Sequence, residues 1–185
     1  MQTGFYFDQT RCSGCYACVL ACQSWHSDSS EAISWREVLT FEKGTFPDVR
    51  VAFLSLSCCH CLHPACLEVC PVGAISKRES DGIVIIDTDI CLGIDECGNC
   101  KVACPYDIPK FNDEPNAKMQ KCDFCLERLE RGKKPICVMV CPVEALDFGY
   151  IEELESKYKN STRETEGFIN DPQVYASILF NPKYD

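Results

Sequence analysis

Cysteine constrains the fold of this chain more than any other residue type, because 17 of its 185 residues are cysteine. All but one of them fall into four runs of four, and three of these runs end in Cys-Pro. In chain order the runs are Cys12-x2-Cys15-x2-Cys18-x3-Cys22, Cys58-x2-Cys61-x4-Cys66-x3-Cys70, Cys91-x5-Cys97-x2-Cys100-x3-Cys104 and Cys122-x2-Cys125-x11-Cys137-x3-Cys141. The fold must therefore bring several thiols together in each of a few small sites.

Disulfide bonds and zinc are two alternatives for thiols that are spaced in this way. An odd cysteine count, the lack of a signal peptide before Cys12 and the x2 and x3 spacings argue against a disulfide-rich secreted protein. A structural zinc site needs two separate C-x2-C knuckles, whereas the first and third runs crowd three cysteines into one loop. A zinc scaffold would also be colourless, because Zn²⁺ is d¹⁰.

The two central runs resemble the bacterial ferredoxin signature, in which three cysteines occupy a loop and a fourth precedes proline. In that arrangement three thiolates hold one [4Fe–4S] cluster, and the fourth thiolate reaches across to the neighbouring cluster. The segment between the runs, PVGAISKRESDGIVIID, also resembles a ferredoxin linker, with a polar turn and a β-branched strand at Ile83–Ile86. The central runs are therefore predicted to form a two-cluster unit.

Exchange of the fourth cysteines predicts four ligand sets. The two central runs pair through their short linker, so the first and fourth runs must pair around them. Each set takes three cysteines from one run and the last cysteine of its partner run. The predicted sets are Cys12, Cys15, Cys18 and Cys141 (set I); Cys122, Cys125, Cys137 and Cys22 (set II); Cys58, Cys61, Cys66 and Cys104 (set III); and Cys91, Cys97, Cys100 and Cys70 (set IV).

Two positions leave the ligand assignment open. Cys58 and Cys59 compete for one position, and only Cys58 has the x2 spacing from Cys61. Cys59 is therefore predicted to be a buried packing residue beside the cluster. The x5 gap after Cys91 departs from the x2 spacing of ferredoxins, although Gly93 would allow the loop to bulge.

Few other side chains near the runs carry chemistry. Lys121 either lowers the negative charge beside Cys122 or is a solvated lysine. The histidines are expected to hydrogen-bond near a cluster or to face solvent, and not to ligate iron: His26, His60 and His63. The basic residues of the fourth run are expected to form a solvated face: Arg128, Arg131, Lys133 and Lys134. Because no nucleotide-binding loop and no nucleophile–base pair occurs, catalysis by this chain alone is not expected.

The predicted fold class is α+β, with two bacterial-ferredoxin-like modules related by pseudo-symmetry, short hairpins, short helices and long cluster loops. The first module comprises residues 1–57 and 118–150, and the second module with its connector, residues 58–117, is inserted into it. Residues 151–185 are predicted to be a C-terminal helix and an extended docking arm. The sequence PVEALDFG after Cys141 repeats PVGAIS after Cys70, as expected of duplicated modules.

Local patterns predict the elements within these modules. Strands are expected at Gly4–Asp8 and in a hairpin of Trp35–Phe41 and Val49–Leu56. Helices are expected after Cys18, at Leu126–Arg131 and at Ile151–Lys159, whereas the proline-rich connector PYDIPKFNDEPNAKMQK should be extended. The apolar residues of the last stretch, 167–185, pack either on this chain or on a partner.

The charge of the chain excludes some classes of partner. The formal net charge is −10, and four clusters with a charge of about −2 each would bring it to about −18. Nucleic acid binding needs a basic face, so it is not expected. No apolar run has the roughly 18 residues of a membrane span, and a soluble, cytoplasmic chain is expected to meet a membrane only through a partner.

The ordered set of motifs resembles the four-cluster iron–sulfur subunit of the dimethyl sulfoxide reductase family over residues 5 to 150. The motifs are CSGCYACVLACQSWH, CCHCLHPACLEVCPVGAI, DGIVIIDTDIC, CGNCKVACPYDIPKF and QKCDFCLERLERGKKPICVMVCPVEALDFG. The x5 gap, Cys59 where asparagine is common, and a short tail depart from the family pattern.

The resemblance implies a non-catalytic electron-transfer subunit of an oxidoreductase. Its partner would be a large subunit with molybdenum or tungsten on a bis-pyranopterin guanine dinucleotide. Its clusters would connect that cofactor to a quinone-linked membrane subunit or a soluble carrier, with set I nearest the large subunit. The alternative is the related four-cluster ferredoxin subunit of a hydrogenase or of a carbon-monoxide- or formate-linked complex. The CPYDIPKF connector and the ALDFG ending favour the first.

Overall fold

The computed structural model describes residues 1–26 and 33–184; residues 27–32 of the predicted first module and Asp185 of the predicted arm lie outside the described residues. The elements are β1 (Thr3–Asp8), α1 (Ala17–His26), β2 (Glu37–Lys43), β3 (Arg50–Leu56), α2 (Ala65–Glu68), β4 (Ile75–Lys77), β5 (Val84–Ile86), α3 (Asn99–Ala103), α4 (Leu126–Glu130), α5 (Ile136–Met139), β6 (Leu146–Tyr150), α6 (Ile151–Lys157) and β7 (Ile178–Asn181). Short helices and small sheets thus make up a mixed α and β fold, as predicted.

The first strand is the centre of a three-stranded sheet of order β6-β1-β7. It pairs antiparallel with β6 and parallel with β7, and all six of its residues are buried. Because strand side chains alternate between the two faces, Phe5 and Phe7 face one core while Tyr6 faces another. The face of Phe5 and Phe7 packs against the cysteine-containing loops.

The opposite face of the sheet is covered by α6. Ile151 and Leu154 are buried against Tyr6 and Leu179, while the glutamates of the helix lie on its exposed side. Tyr158 follows the helix and stacks on Tyr6 at 3.5 Å between ring centroids. The predicted surface helix is therefore confirmed, and its apolar residues form one of the two contacts that bury the sheet.

Two hairpins complete the strands. The first is the hairpin that the sequence predicts; in it β2 and β3 pair with Glu37 opposite Leu56 and bury Val38 and Leu54 in the main core. In the second, β4 and β5 pair with Ile75 opposite Ile86. The sequence predicts a strand at β5 from its β-branched run but none at Ile75–Lys77, where Ile75 is the single apolar residue.

The C-terminal segment packs on its own chain. The residues of β7 pair with β1, and Phe180 is 0% exposed beneath Phe168, whose ring centroid lies 5.0 Å away. Composition left open whether the segment packs on this chain or on a partner, and Ile178–Asn181 packs on this chain. Within residues 1–26 and 33–184, none of the helices has the length and apolar character that a bilayer crossing demands.

The prediction that Arg128 belongs to a solvated face is wrong. Its guanidinium is buried over the Trp25 ring, 4.7 Å from the centroid, and its Nε donates to the carbonyl oxygen of Lys134 at 2.8 Å. The loop after α4 folds back over the side chain and supplies that carbonyl, which spacing along the sequence does not reveal. The other basic residues of the run are exposed, as predicted: Arg131, Lys133 and Lys134.

Candidate metal centres

Helices carry the last two cysteines of each run into position. These two cysteines are four residues apart in all four runs, and residues i and i+4 of a helix lie on the same face. In α1 both lie within the helix, whereas α2, α3 and α5 end at or just before the fourth cysteine. Helix α1 packs against α5, and α2 packs against α3. Each packed pair therefore places the fourth cysteine of one run beside the loop of the other run.

The cysteines of set I line one small, mostly apolar cavity with Phe7, Val38 and Leu146. Burial raises the pKa of the Cys12 thiol, and negative charge on Cys18, Cys141 and Cys15 raises it further. Cys18 is buried while Cys15 is exposed. The structure thus brings Cys141 to the first run, although about 120 residues separate them along the chain.

The cysteines of set II are the most deeply buried. Burial raises the pKa of the Cys125 thiol to about 12, and negative charge on Cys137 and Cys22 adds to the increase. The pKa of the Cys22 thiol is raised to about 11, mainly by burial. The Cys122 thiol is fully buried, so burial raises its pKa well above the usual value.

The cysteines of set III also lie close together. Burial is the main cause of the raised pKa of the Cys61 thiol. Negative charge on Cys58, Cys104 and Cys66 raises this pKa further. Cys59 is 2% exposed, and its thiol donates to the carbonyl oxygen of Ser57 at 3.6 Å. Cys59 therefore lies in the core beside this set, as does Cys58, and its assignment as the cysteine left over stays a prediction.

The cysteines of set IV line a second small apolar cavity with Ile75, Ile86 and Met119. The x5 gap folds into a tight turn in which the Cys97 N–H donates to the carbonyl oxygen of Gly93 at 2.9 Å. Gly93 has φ +90°, and a Cβ there would lie 2.4 Å from the backbone oxygen of Asn116. Glycine therefore permits both the conformation and the close approach that bring Cys91 to this cavity.

The two corners that follow Cys70 and Cys141 have the same geometry. The Ala74 N–H donates to Cys70 Sγ, and the Ala145 N–H donates to Cys141 Sγ, both at 3.2 Å. A residue with positive φ precedes each alanine, glycine in one corner and Glu144 in the other. The repeated sequence after Cys-Pro thus produces the same hydrogen bond twice. A backbone N–H that donates to sulfur stabilises the thiolate form of the cysteine.

His60 lies in the core beside sets II and III. Its imidazole is 0% exposed and lies 4.7 Å from the Phe124 ring between centroids. Burial lowers its pKa well below the usual value, so the ring is neutral. The Val84 N–H donates to Nδ1 at 3.0 Å, which leaves the proton on Nε2, and Nε2 has no hydrogen-bond partner among the described residues. A buried donor without a protein acceptor fits a site whose acceptor is not a protein atom.

Two buried cations lie close to the cysteines. Lys121 is 2% exposed and donates to the carbonyl oxygens of Val84 and Cys122, so its alternative prediction as a solvated lysine is wrong. Arg36, for which the sequence suggested no role, is also 2% exposed. Its guanidinium likewise donates to neighbouring oxygens, those of Ser55 and Ser57. Neither position carries a sequence signal, because burial of a charged residue depends on the tertiary contacts around it.

His26 contacts a cysteine of set II. Its Nε2 lies 3.3 Å from Cys125 Sγ and 3.9 Å from a carboxylate oxygen of Asp123, and its ring stacks on Trp35. These three polar groups lie near enough to one another to hold a metal ion. Because Cys125 also belongs to set II, His26 is better described as a hydrogen-bond partner of that sulfur, one of the two roles expected from sequence.

The cysteine sets fit [4Fe–4S] clusters by the chemistry of their donors. All seventeen cysteines are free thiols, and those of sets I and IV line cavities walled by apolar side chains. Thiolates are the usual ligands of such clusters, and backbone N–H groups that donate to the sulfurs are part of the same chemistry. Because burial raises most of the thiol pKa values, binding of iron would release protons.

The comparisons with known proteins agree with this chemistry. A family model described as "4Fe-4S dicluster domain" matches residues 49–151, more than half of the chain. One relative is a component of the anaerobic dimethyl sulfoxide reductase of Escherichia coli. It is 45% identical to this protein over 165 residues, which cover 85% of this chain and 78% of the relative.

Two further relatives cover similar shares. A component of the sulfite dehydrogenase of Allochromatium vinosum is 35% identical over 192 residues, covering 93% of this chain and 78% of that protein. The protein NrfC of Escherichia coli is 37% identical over 163 residues, covering 87% of this chain and 71% of that protein. With this identity over most of its length and with its cysteine-lined centres, the chain belongs to the iron–sulfur subunits of the dimethyl sulfoxide reductase family.

Proposed function

We propose that the chain holds four [4Fe–4S] clusters, one in each cysteine set, and relays electrons between a large catalytic subunit and a second partner. The observation that supports the proposal is that the cysteines of sets I and IV line one cavity each and that cysteines of sets II and III lie close to one another. When bound, each cluster supplies a one-electron redox couple. The residues of the chain hold the iron, exclude water and set the local charge.

The arrangement of modules supports a continuous path. Residues 1–57 and 118–150 form the first module of the proposal, because β1 pairs with β6 and α1 packs against α5. Residues 58–117 form the inserted module around the β4–β5 hairpin. Negative charge on Cys58 of set III raises the pKa of the Cys122 thiol of set II. Negative charge on Cys100 of set IV likewise raises the pKa of the Cys66 thiol of set III. These interactions support an order of sets II, III and IV along the proposed path.

Exposed apolar residues lie near both terminal sets. Tyr16 and Val143 are exposed and line the cavity of set I, and Val72 is exposed and lines that of set IV. Apolar side chains that cluster on a surface are typical of protein contacts. We propose that the set I end, where Cys15 is exposed, faces a subunit with molybdenum or tungsten on a bis-pyranopterin guanine dinucleotide. The set IV end would face a quinone-linked membrane subunit or a soluble carrier.

Native purification tests the proposed partner. Anaerobic isolation of the chain from its own cells, followed by mass spectrometry and metal analysis, should recover one large subunit with molybdenum or tungsten in a stoichiometric complex. A hydrogenase large subunit with nickel in its place would contradict the proposal and favour the alternative family. Fractionation of the same cells tests the cytoplasmic location that we expect for the subunit.

A further inference from the structure

Arg36 carries a buried charge that no carboxylate balances. It immediately precedes β2, and its side chain is 2% exposed. Among the described residues it forms no ion pair with an aspartate or glutamate. Buried charges in proteins are normally paired, because desolvation without a counter-charge is unfavourable. The charge that balances Arg36 must therefore come from another kind of group.

The direct contacts of the guanidinium are all with neutral groups. Nη1 donates to the Ser55 carbonyl oxygen at 3.3 Å and to Ser55 Oγ at 3.1 Å, and Nη2 donates to Ser57 Oγ at 2.8 Å. The Phe5 ring lies against it, with its centroid 4.7 Å from Cζ. These contacts engage Nη1 and Nη2 and hold the group in one orientation, but they carry no net negative charge.

The negative groups near Arg36 are cysteines of two sets. Ser55 Oγ, which accepts from Nη1, also lies 3.4 Å from Cys18 Sγ, so a hydroxyl connects the guanidinium to set I. Burial opposes the charged form, but negative charge on Cys137 and Cys122, then on Cys18 and Cys22, raises the pKa of Arg36 above its usual value. One of these four cysteines belongs to set I and three belong to set II.

We propose that Arg36 is a potential-setting residue shared by clusters I and II, whose single positive charge raises both reduction potentials. The inference rests on the proposed ligand sets. Reduction adds one negative charge to a cluster, and a fixed cation in a low-dielectric interior favours the form with more negative charge. Because one guanidinium acts most strongly on clusters I and II, its loss lowers these two potentials together and lowers those of clusters III and IV less.

Redox titrations of Arg36→Met, followed by electron paramagnetic resonance, test the proposal. Methionine fills a similar apolar volume without charge, and Arg36→Lys keeps the charge without the planar fork. Arg50→Met is the matched control, since Arg50 is exposed on the same hairpin. We expect the equilibrium constant for reduction of clusters I and II to fall at least tenfold in Arg36→Met, which is about 59 mV for one electron. Arg36→Lys should retain most of the wild-type potentials, and Arg50→Met should leave all of them unchanged.

Three results of the redox titrations contradict the proposal. Unchanged potentials in Arg36→Met, an equal shift of all four clusters, or a comparable shift in Arg50→Met would overturn it. If Arg36→Met loses iron, the iron content of Arg36→Lys decides. Iron that is retained in Arg36→Lys supports a requirement for the positive charge, whereas iron that is lost in both variants overturns the proposal. The iron content of the wild-type protein separates this inference from the proposed function. If the wild-type chain holds about sixteen irons and Arg36→Met leaves the potentials unchanged, only the role of Arg36 is rejected. If the wild-type chain holds fewer irons, the ligand sets are rejected and the inference with them.

Discussion

Replacement of Cys141 by alanine removes the cluster of the first run, although the substitution lies in the fourth run. Alanine has no donor atom, and the structure places Cys141 in the cavity of Cys12, Cys15 and Cys18. Iron content should fall from about sixteen to about twelve per chain, because each cluster contains four irons. Cys59→Ala is the control, and it should keep the wild-type iron content.

Double variants show which cluster Cys141 holds. Two substitutions in one cluster should cost no more iron than either alone, whereas substitutions in two clusters should add. Cys141→Ala with Cys15→Ala should therefore retain about twelve irons, and Cys141→Ala with Cys125→Ala should retain about eight. The reverse pattern would mean that Cys141 ligates a cluster of its own run, and the exchange of fourth cysteines would be wrong.

Phe180→Ala destabilises the protein strongly, because it empties the core position where β7 meets the central sheet. The side chain is 0% exposed, and truncation of a buried phenylalanine costs about 3–5 kcal/mol. At about 2–4 °C per kcal/mol for a chain of this size, the unfolding temperature should fall by about 6–20 °C. The visible absorbance of the clusters, recorded anaerobically during heating, provides the measurement.

Ile169→Ala is the matched control for the same segment. Ile169 is 78% exposed, and surface truncations usually change the free energy of unfolding by less than about 0.5 kcal/mol. Equal unfolding temperatures for Phe180→Ala and the wild-type protein would contradict the placement of β7 in the sheet. A large decrease in the unfolding temperature of Ile169→Ala would show that this exposed position also contributes to the core.

The sequence predicted the parts of the fold that depend on local spacing. Cysteines four residues apart and followed by proline specify a helix end and a corner, and both depend only on neighbouring residues. The strand of β1 and the β2–β3 hairpin were predictable for the same reason, since alternation and a turn are local signals. The repeat after Cys70 and Cys141 likewise recurs as the same hydrogen bond to sulfur.

Other features depend on contacts between distant segments. The parallel pairing of β7 with β1 joins the two ends of the chain, and composition gave equal support to packing on a partner. The sequence assigns no role to Arg36, a solvated position to Arg128, and to Lys121 either a solvated position or a role beside Cys122, because charged residues are mostly exposed. Their burial depends on groups that distant segments supply: Ser57 for Arg36, Val84 for Lys121 and the Trp25 ring for Arg128. The helices and corners that carry the cysteines were therefore predictable, whereas the burial of these cations was not.

The number of clusters is the central claim, and a combined count of iron, acid-labile sulfide and electrons tests it most directly. Anaerobically reconstituted chain should contain about sixteen irons and about sixteen sulfides, and it should take up about four electrons in a reductive titration. About eight irons and two electrons per chain, with the remaining cysteines still free to react with a thiol reagent, would contradict a four-cluster relay.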